Sequence, residues 1–197
     1  MTILWIILAF GLGSIPFGLV ISRMVKGLDP REAGSHNTGA TNVARLCGLG
    51  YGILVLALDI GKGWLPVALA LNPDRGWLAM SLVAMAALFG HVFSPFLEYK
   101  GGKAVATTVG VFLALSPGVT LAAAAACLLT IKFSGYVSLG SLTLAVCLPV
   151  FCLLAGLPQY VPLALAVMAL LFTRHRENIE RLARGQENPF RGAGGDA

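Results

Sequence analysis

The sequence predicts an all-α polytopic membrane protein with seven transmembrane helices. Three observations carry that prediction. Hydrophobic residues make up 57% of the chain and charged residues 12%, against about 25% charged in a soluble domain. Mean hydropathy is +0.81. Apolar runs recur from end to end, and the basic residues gather in alternate connections between them.

The apolar runs lie at about 3–22, 50–71, 76–97, 104–116, 117–131, 138–156 and 159–173. Several are shorter than the roughly 20 residues of a perpendicular span. The first has no basic stretch ahead of it, and Gly13-Ser14-Ile15-Pro16-Phe17-Gly18 is no cleavage site. It reads as the first transmembrane helix. Ser116-Pro117-Gly118 interrupts 104–131. Proline with glycine suits a turn between two short helices, whereas one long kinked helix would leave six spans.

Charge separates these alternatives. With seven spans, one side holds Arg23, Lys26, Arg31, Arg45, Lys100, Lys103, Lys132, Arg174, Arg176, Arg181, Arg184 and Arg191, which is 12 of the 14 Lys and Arg. The other side holds Arg75, and Lys62 lies within a span. Positive charge marks the cytoplasmic side, so the N-terminus is expected outside and the C-terminus in the cytoplasm. Six spans would put the C-terminal arginines opposite the first basic connection. The net charge of +5 then follows from topology and calls for no nucleic acid. The chain is expected to form a single domain over 1–197, with a Gly-rich, polar tail at 185–197 that frays. Cys47, Cys127, Cys147 and Cys152 show no C-x-x-C spacing and read as small core residues.

Four polar constellations fall on the cytoplasmic side or at that end of a span. The first is the loop Gly34-Ser35-His36-Asn37-Thr38-Gly39-Ala40-Thr41-Asn42, closed by Arg45. Glycines let N–H groups approach an oxyanion, and Ser, Thr and Asn add short donors. The second is Lys100-Gly101-Gly102-Lys103, ahead of a helix start. That placement suits a phosphate, although a plain turn with topogenic lysines is an equal reading, and the P-loop pattern is absent. The third, Ser138-Leu139-Gly140-Ser141, is either part of the same site or a helix N-cap by Ser138. In the fourth, after the last span, His175 and Asn178 share a helix face beside Arg174. A solvated basic helix end is the plainer alternative. Within the spans, Asp59 and Lys62 at i and i+3 are expected to form a structural ion pair. His91 is expected to order the Gly101-Gly102 loop. No His, Cys or Asp cluster has metal-ligand spacing, so no metal or other cofactor is expected.

In this order and spacing the motifs resemble the bacterial acyl-phosphate-dependent glycerol-3-phosphate acyltransferases of the inner membrane. The resemblance runs through Gly13-Ser14-Ile15-Pro16-Phe17-Gly18, Gly34-Ser35-x-Asn37-x-Gly39-Ala40-Thr41-Asn42, Asp59-x-x-Lys62-Gly63, Gly90-His91-x-x-x-Pro95, Lys100-Gly101-Gly102-Lys103-x-Val105-Ala106-Thr107, Val137-Ser138-Leu139-Gly140-Ser141 and His175-x-x-Asn178-Ile179-x-Arg181-Leu182. His36 and Tyr99 stand where glycine and phenylalanine are usual. The resemblance implies transfer of a fatty acyl group from acyl phosphate to the 1-hydroxyl of glycerol 3-phosphate, giving lysophosphatidic acid and inorganic phosphate for phospholipid synthesis. It implies membrane lipid as the setting, and neither acyl-CoA nor acyl carrier protein as direct donor.

The residues are compatible with that chemistry. Residues five after His36, His91 and His175 are Thr41, Phe96 and Glu180, so the His-x-x-x-x-Asp pair of other glycerol-phosphate acyltransferases is missing. No activated serine or cysteine stands out. Catalysis by positioning and charge stabilisation is expected instead, with a substrate phosphate taking the hydroxyl proton. Ser35, Arg45, Lys103, His175 and Asn178 are expected to hold glycerol 3-phosphate, and Asn37, Gly39, Thr41, Asn42 and Ser141 the acyl phosphate. Asp59, Lys62, His91, Gly101 and Gly102 are expected to support them. A transporter of phosphorylated solutes would share basic pockets but place its polar groups near the midplane, within inverted repeats. No internal repeat is visible. A purely structural membrane protein would not gather Ser, Asn, Thr and Arg in one loop. A lipid phosphatase would need a nucleophile pair.

Overall fold

The computed structural model describes residues 2–72 and 74–190. All regular structure among them is helical. The chain divides into two compact units, the first ending at Leu115 and the second beginning at Ser116.

In the first unit the helix expected over 3–22 is broken. It forms α1 (Thr2–Gly13) and α2 (Phe17–Lys26). Pro16 has no N–H to donate and crowds the preceding turn, so the helix stops and restarts around it. Gly27, at φ +66°, closes α2 in the left-handed conformation that glycine accepts without penalty. The connection after α2 is not all loop, because its end winds into α3 (Ala40–Cys47). Val43 and Cys47, one helical turn apart, bury against Ile21 and against Val55 of α4 (Leu49–Ala70). α5 (Trp77–Val92) and α6 (Val105–Leu115) complete the unit.

Two helix pairs cross at glycines. A Cβ on Gly13 would strike the carbonyl of Ala87, and one on Gly90 the carbonyl of Phe10, where α1 meets α5. Where α4 meets α6, Gly63 lies on the Thr107 carbonyl and Gly110 on that of Ile60. Lipid tails offer no hydrophobic drive between helices, so backbone contact of this kind is a main source of their association.

The second unit contains α7 (Pro117–Ser134), α8 (Val137–Leu154), α9 (Val161–Arg174) and α10 (Arg176–Ala183). Ser116 is extended and Pro117 opens α7, so 104–131 is two helices and not one kinked rod. Gly140 of α8 lies against the Ile131 side chain and the Cys127 carbonyl of α7.

Among the described residues, five helical segments are long and apolar enough to cross a membrane. They are Thr2–Lys26, Leu49–Ala70, Trp77–Leu97, Pro117–Ser134 and Val137–Leu154. Val105–Leu115 and Pro158–Arg174 are apolar but shorter. Exposed Ile, Leu and Phe side chains on the five long segments suit a lipid surround.

The tail expected to fray from 185 is held as far as Phe190. The Phe190 N–H donates to the Gly135 carbonyl at 2.9 Å, and Glu187 is buried. Residues 191–197 of that expected tail lie outside the described residues.

Candidate functional site

The loop between α2 and α3 is built around the Asn42 side chain. Its Oδ1 accepts the Ser35 N–H at 2.8 Å. Its Nδ2 faces the carbonyls of Pro30, Ala33 and Asn37 at 2.9, 3.0 and 2.9 Å. Gly34, at φ +63°, passes so close to Asn42 Oδ1 that a Cβ would collide with it. Asn42 therefore turns its amide on its own loop, not outward to an anion as the sequence suggested. Asn37 Oδ1 accepts the Gly39 N–H at 2.9 Å, just ahead of α3. Ser35, Thr41 and Arg45 are half-buried on this frame. His36 adopts φ +52°, which accounts for the usual glycine there, and its Nδ1 lies 3.0 Å from the Arg31 carbonyl.

Asp29 ties the loop to the end of α2. Arg31 Nε and Nη2 donate to its carboxylate at 3.0 and 2.8 Å, and Arg23 Nη2 at 3.0 Å. The Arg31 hydrogen bonds are the main cause that lowers the Asp29 pKa from 3.8 to about 2. A depressed carboxylate contributes stability above its unfolded pKa and loses it as pH falls through the folded one. This tie therefore persists down to strongly acid pH.

The second loop rests on His91. Gly101 and Gly102 lie against the His91 carbonyl and ring so closely that neither has room for a Cβ. The Gly101 N–H donates to the Val92 carbonyl at 2.9 Å. His91 Nδ1 lies 3.2 Å from Thr107 Oγ1 on α6. Glu98 and Tyr99, at φ +53° and +62°, turn the chain back after the Pro95–Leu97 turn. Half-buried Lys103 then stands next to the N-terminus of α6. Cation and helix terminus both favour an anion.

Beneath the two loops, Asp59 and Lys62 pair as their i, i+3 spacing predicts. Nζ lies 2.8 Å from Oδ1, and both side chains are 4% exposed, so the pair is screened from water. Lys62 Nζ also donates to the Ile15 carbonyl at 2.8 Å. Ser94 Oγ donates to the Ser14 carbonyl at 2.6 Å. These groups line a small pocket with Thr38 and His91. The sequence motifs contained Ser14 and Thr38 without giving either a role of its own, and passed over Ser94.

In the second unit a residue missed altogether gathers a polar cluster of its own. Glu187 Oε1 accepts Asn178 Nδ2 at 2.7 Å and Ser138 Oγ at 3.1 Å, while Oε2 accepts Arg181 Nε at 2.9 Å. Ser138 is thus not an N-cap; Tyr136 precedes α8 with no side-chain cap. Ser141 Oγ donates within its own helix to the Val137 carbonyl at 2.8 Å, so its proton is not presented to a ligand. His175 is the joint between α9 and α10 and is 3% exposed. Its Nδ1–H donates to the Leu171 carbonyl at 2.8 Å.

Comparison with known proteins agrees with these motifs. The profile of a family described as glycerol-3-phosphate acyltransferase matches residues 3–185. A glycerol-3-phosphate acyltransferase of Maridesulfovibrio salexigens is 54% identical over 96% of this chain and 97% of its own length. Two crystal structures of PlsY (YgiH), an integral membrane glycerol 3-phosphate acyltransferase, share the fold at 40% identity. The glycerol 3-phosphate form superposes with TM-score 0.91 and the lysophosphatidic acid form with 0.89, each over 95% of this chain and 94% of that one. This chain belongs to the glycerol-3-phosphate acyltransferase family.

Proposed function

We propose that this protein transfers a fatty acyl group from acyl phosphate to the 1-hydroxyl of glycerol 3-phosphate. The products are lysophosphatidic acid and inorganic phosphate. One observation carries the reading. Arg45, on α3 just after the loop clamped by Asn42, and Lys103, on a glycine loop ahead of α6, make two preorganised cationic sites. They occur on the fold of an enzyme solved in its glycerol 3-phosphate form.

Ser35, Arg45 and Lys103 are assigned to glycerol 3-phosphate, as are His175 and Asn178. An arginine fork grips phosphate oxygens in two hydrogen bonds, and lysine adds a point charge. Asn37 and Thr41 are assigned to the acyl phosphate. Gly39, Asn42 and Ser141 leave that set, because their donors are committed within the protein. Acyl phosphate is already activated, with phosphate as leaving group. Attack of the 1-hydroxyl oxygen on the acyl carbon forms the ester C–O bond and breaks the C–O bond to phosphate. A substrate phosphate accepts the hydroxyl proton. The reading calls for no cofactor, and for neither acyl-CoA nor acyl carrier protein. The deciding assay offers purified protein glycerol 3-phosphate with palmitoyl phosphate or palmitoyl-CoA. Lysophosphatidic acid from the first donor is expected; product from the second alone refutes the donor assignment.

Direct transfer needs both substrates bound together. Double-reciprocal plots are therefore expected to intersect, not to run parallel. An acylated protein trapped from palmitoyl phosphate alone, and able to acylate added glycerol 3-phosphate, would overturn direct transfer.

The same proposal places the protein in the bacterial inner membrane with seven spans, N-terminus outside and the site facing the cytoplasm. The basic residues support that orientation. A reporter fused after Ala197 should be active in the cytoplasm. Activity in the periplasm would reverse the orientation.

A further inference from the structure

We propose that the buried Asp59–Lys62 pair is a spacer that sets the two cationic loops of the first unit, which makes Lys62 a positioning residue for glycerol 3-phosphate. The substrate rests on the reading above; the spacing does not.

The argument begins at the break in the first helix. The last carbonyls of a helix have no partner within it, and hydrocarbon supplies no water to replace one. The Ser14 carbonyl takes the Ser94 hydroxyl. The Ile15 carbonyl takes the Phe17 N–H in a tight turn at 3.1 Å and the Lys62 ammonium at 2.8 Å. The same Nζ lies 5.6 Å from the centre of the Phe17 ring, within reach of a cation–π contact. Lys62 thus grips the first turn of α2 by a carbonyl and by an aromatic face.

The next residue transmits that grip. Gly18 lies on the Thr38 carbonyl with no room for a Cβ. Thr38 follows Asn37, whose carbonyl and side chain are both fixed in the Asn42-centred loop. A shift of the first turn of α2 therefore shifts the frame that carries Ser35 and Arg45.

Asp59 faces the other loop. Its Oδ1 lies 3.9 Å from His91 Nδ1. The His91 ring is the surface on which Gly102 rests, one residue before Lys103. One ion pair on one turn of α4 therefore touches the supports of both loops. Such a pair is weak as a stabilising device, since desolvation of two charges offsets much of their attraction. Its contacts with Ile15, Phe17 and His91 point to placement.

The test is the double variant Asp59→Leu/Lys62→Met, which removes both charges and leaves neither unpaired. Three quantities are read: thermal stability, steady-state constants for each substrate, and hydrogen exchange at the Ser35 and Gly39 amides. We expect near wild-type stability, because joint replacement of a buried ion pair by apolar residues is often neutral. We also expect the KM for glycerol 3-phosphate to rise about tenfold, with kcat and the palmitoyl phosphate KM within about twofold. The two amides should exchange faster. Wild-type KM and exchange would reduce the pair to a packing element and overturn the proposal. So would a fall in kcat at unchanged KM. Should the double variant fail to insert, Gly18→Ala presses on the same Thr38 carbonyl and is expected to raise the same KM; an unchanged KM there overturns the proposal too. Exchange needs no substrate. If the wild-type protein does not acylate glycerol 3-phosphate, the functional reading falls while the amides still report on the spacer.

Discussion

Arg45→Ala and Lys103→Ala are each expected to lower kcat/KM for glycerol 3-phosphate by about 30- to 5,000-fold, equivalent to about 2–5 kcal/mol of lost charged contact. Arg45 stands three residues beyond Asn42 on α3, and Lys103 two residues before α6. Both are half-buried, so a charge there acts in a medium less polar than water. Conservative exchanges separate their tasks. Arg45→Lys keeps the charge and loses the planar fork, and should recover only part of the loss. Steady-state kinetics on variants that purify and melt like wild type checks both. Unchanged kcat/KM in a folded variant removes that cation from the site.

Asn42→Asp should be nearly as damaging, although it changes one atom of the side chain. The Asn42 amide nitrogen faces three carbonyls. Aspartate puts a carboxylate oxygen in its place, so acceptor confronts acceptor. Each buried polar group left without a partner costs about 1–3 kcal/mol. The melting temperature should fall by several degrees, and the KM for glycerol 3-phosphate should rise as the frame under Arg45 loosens. Asn42→Ala should do the same to a smaller degree, since it introduces no charge. If Asn42→Ala raises the palmitoyl phosphate KM alone, the amide belongs to the acyl phosphate site, as its place in the motif first suggested.

Asn42 also shows where a sequence stops speaking. An amide that clamps a loop and an amide that meets a ligand are spelled alike. The difference is the convergence of Pro30, Ala33 and Asn37 on one nitrogen, which depends on three turns at once. Glu187 was hidden for a related reason. A lone carboxylate in a polar, Gly-rich tail has no periodicity, and its partners Ser138 and Asn178 lie 49 and 9 residues away. Local rules did better. Proline at Pro117 divided two helices, i, i+3 spacing paired Asp59 with Lys62, and two glycines ahead of Lys103 marked a loop leading to a helix start. The break at Pro16 obeys the same local rule, but the apolar run around it masked the signal. Of the candidate site, the residue types and the two loops were legible; the hydrogen bonds that divide holders from held were not.

The glycines at the helix crossings determine how this chain can drift. Alanine is one base change from every glycine codon and is the smallest replacement open to Gly13, Gly63, Gly90 and Gly110. At each of these positions the added methyl would meet a backbone carbonyl of the facing helix, which no rotamer change can move aside. Ile3, Leu4 and Ile7 are largely exposed, and exchange among apolar residues there leaves the packing untouched. Lineages of this protein should therefore diverge along their lipid-facing stripes, while the four glycines hold even against the smallest side chain.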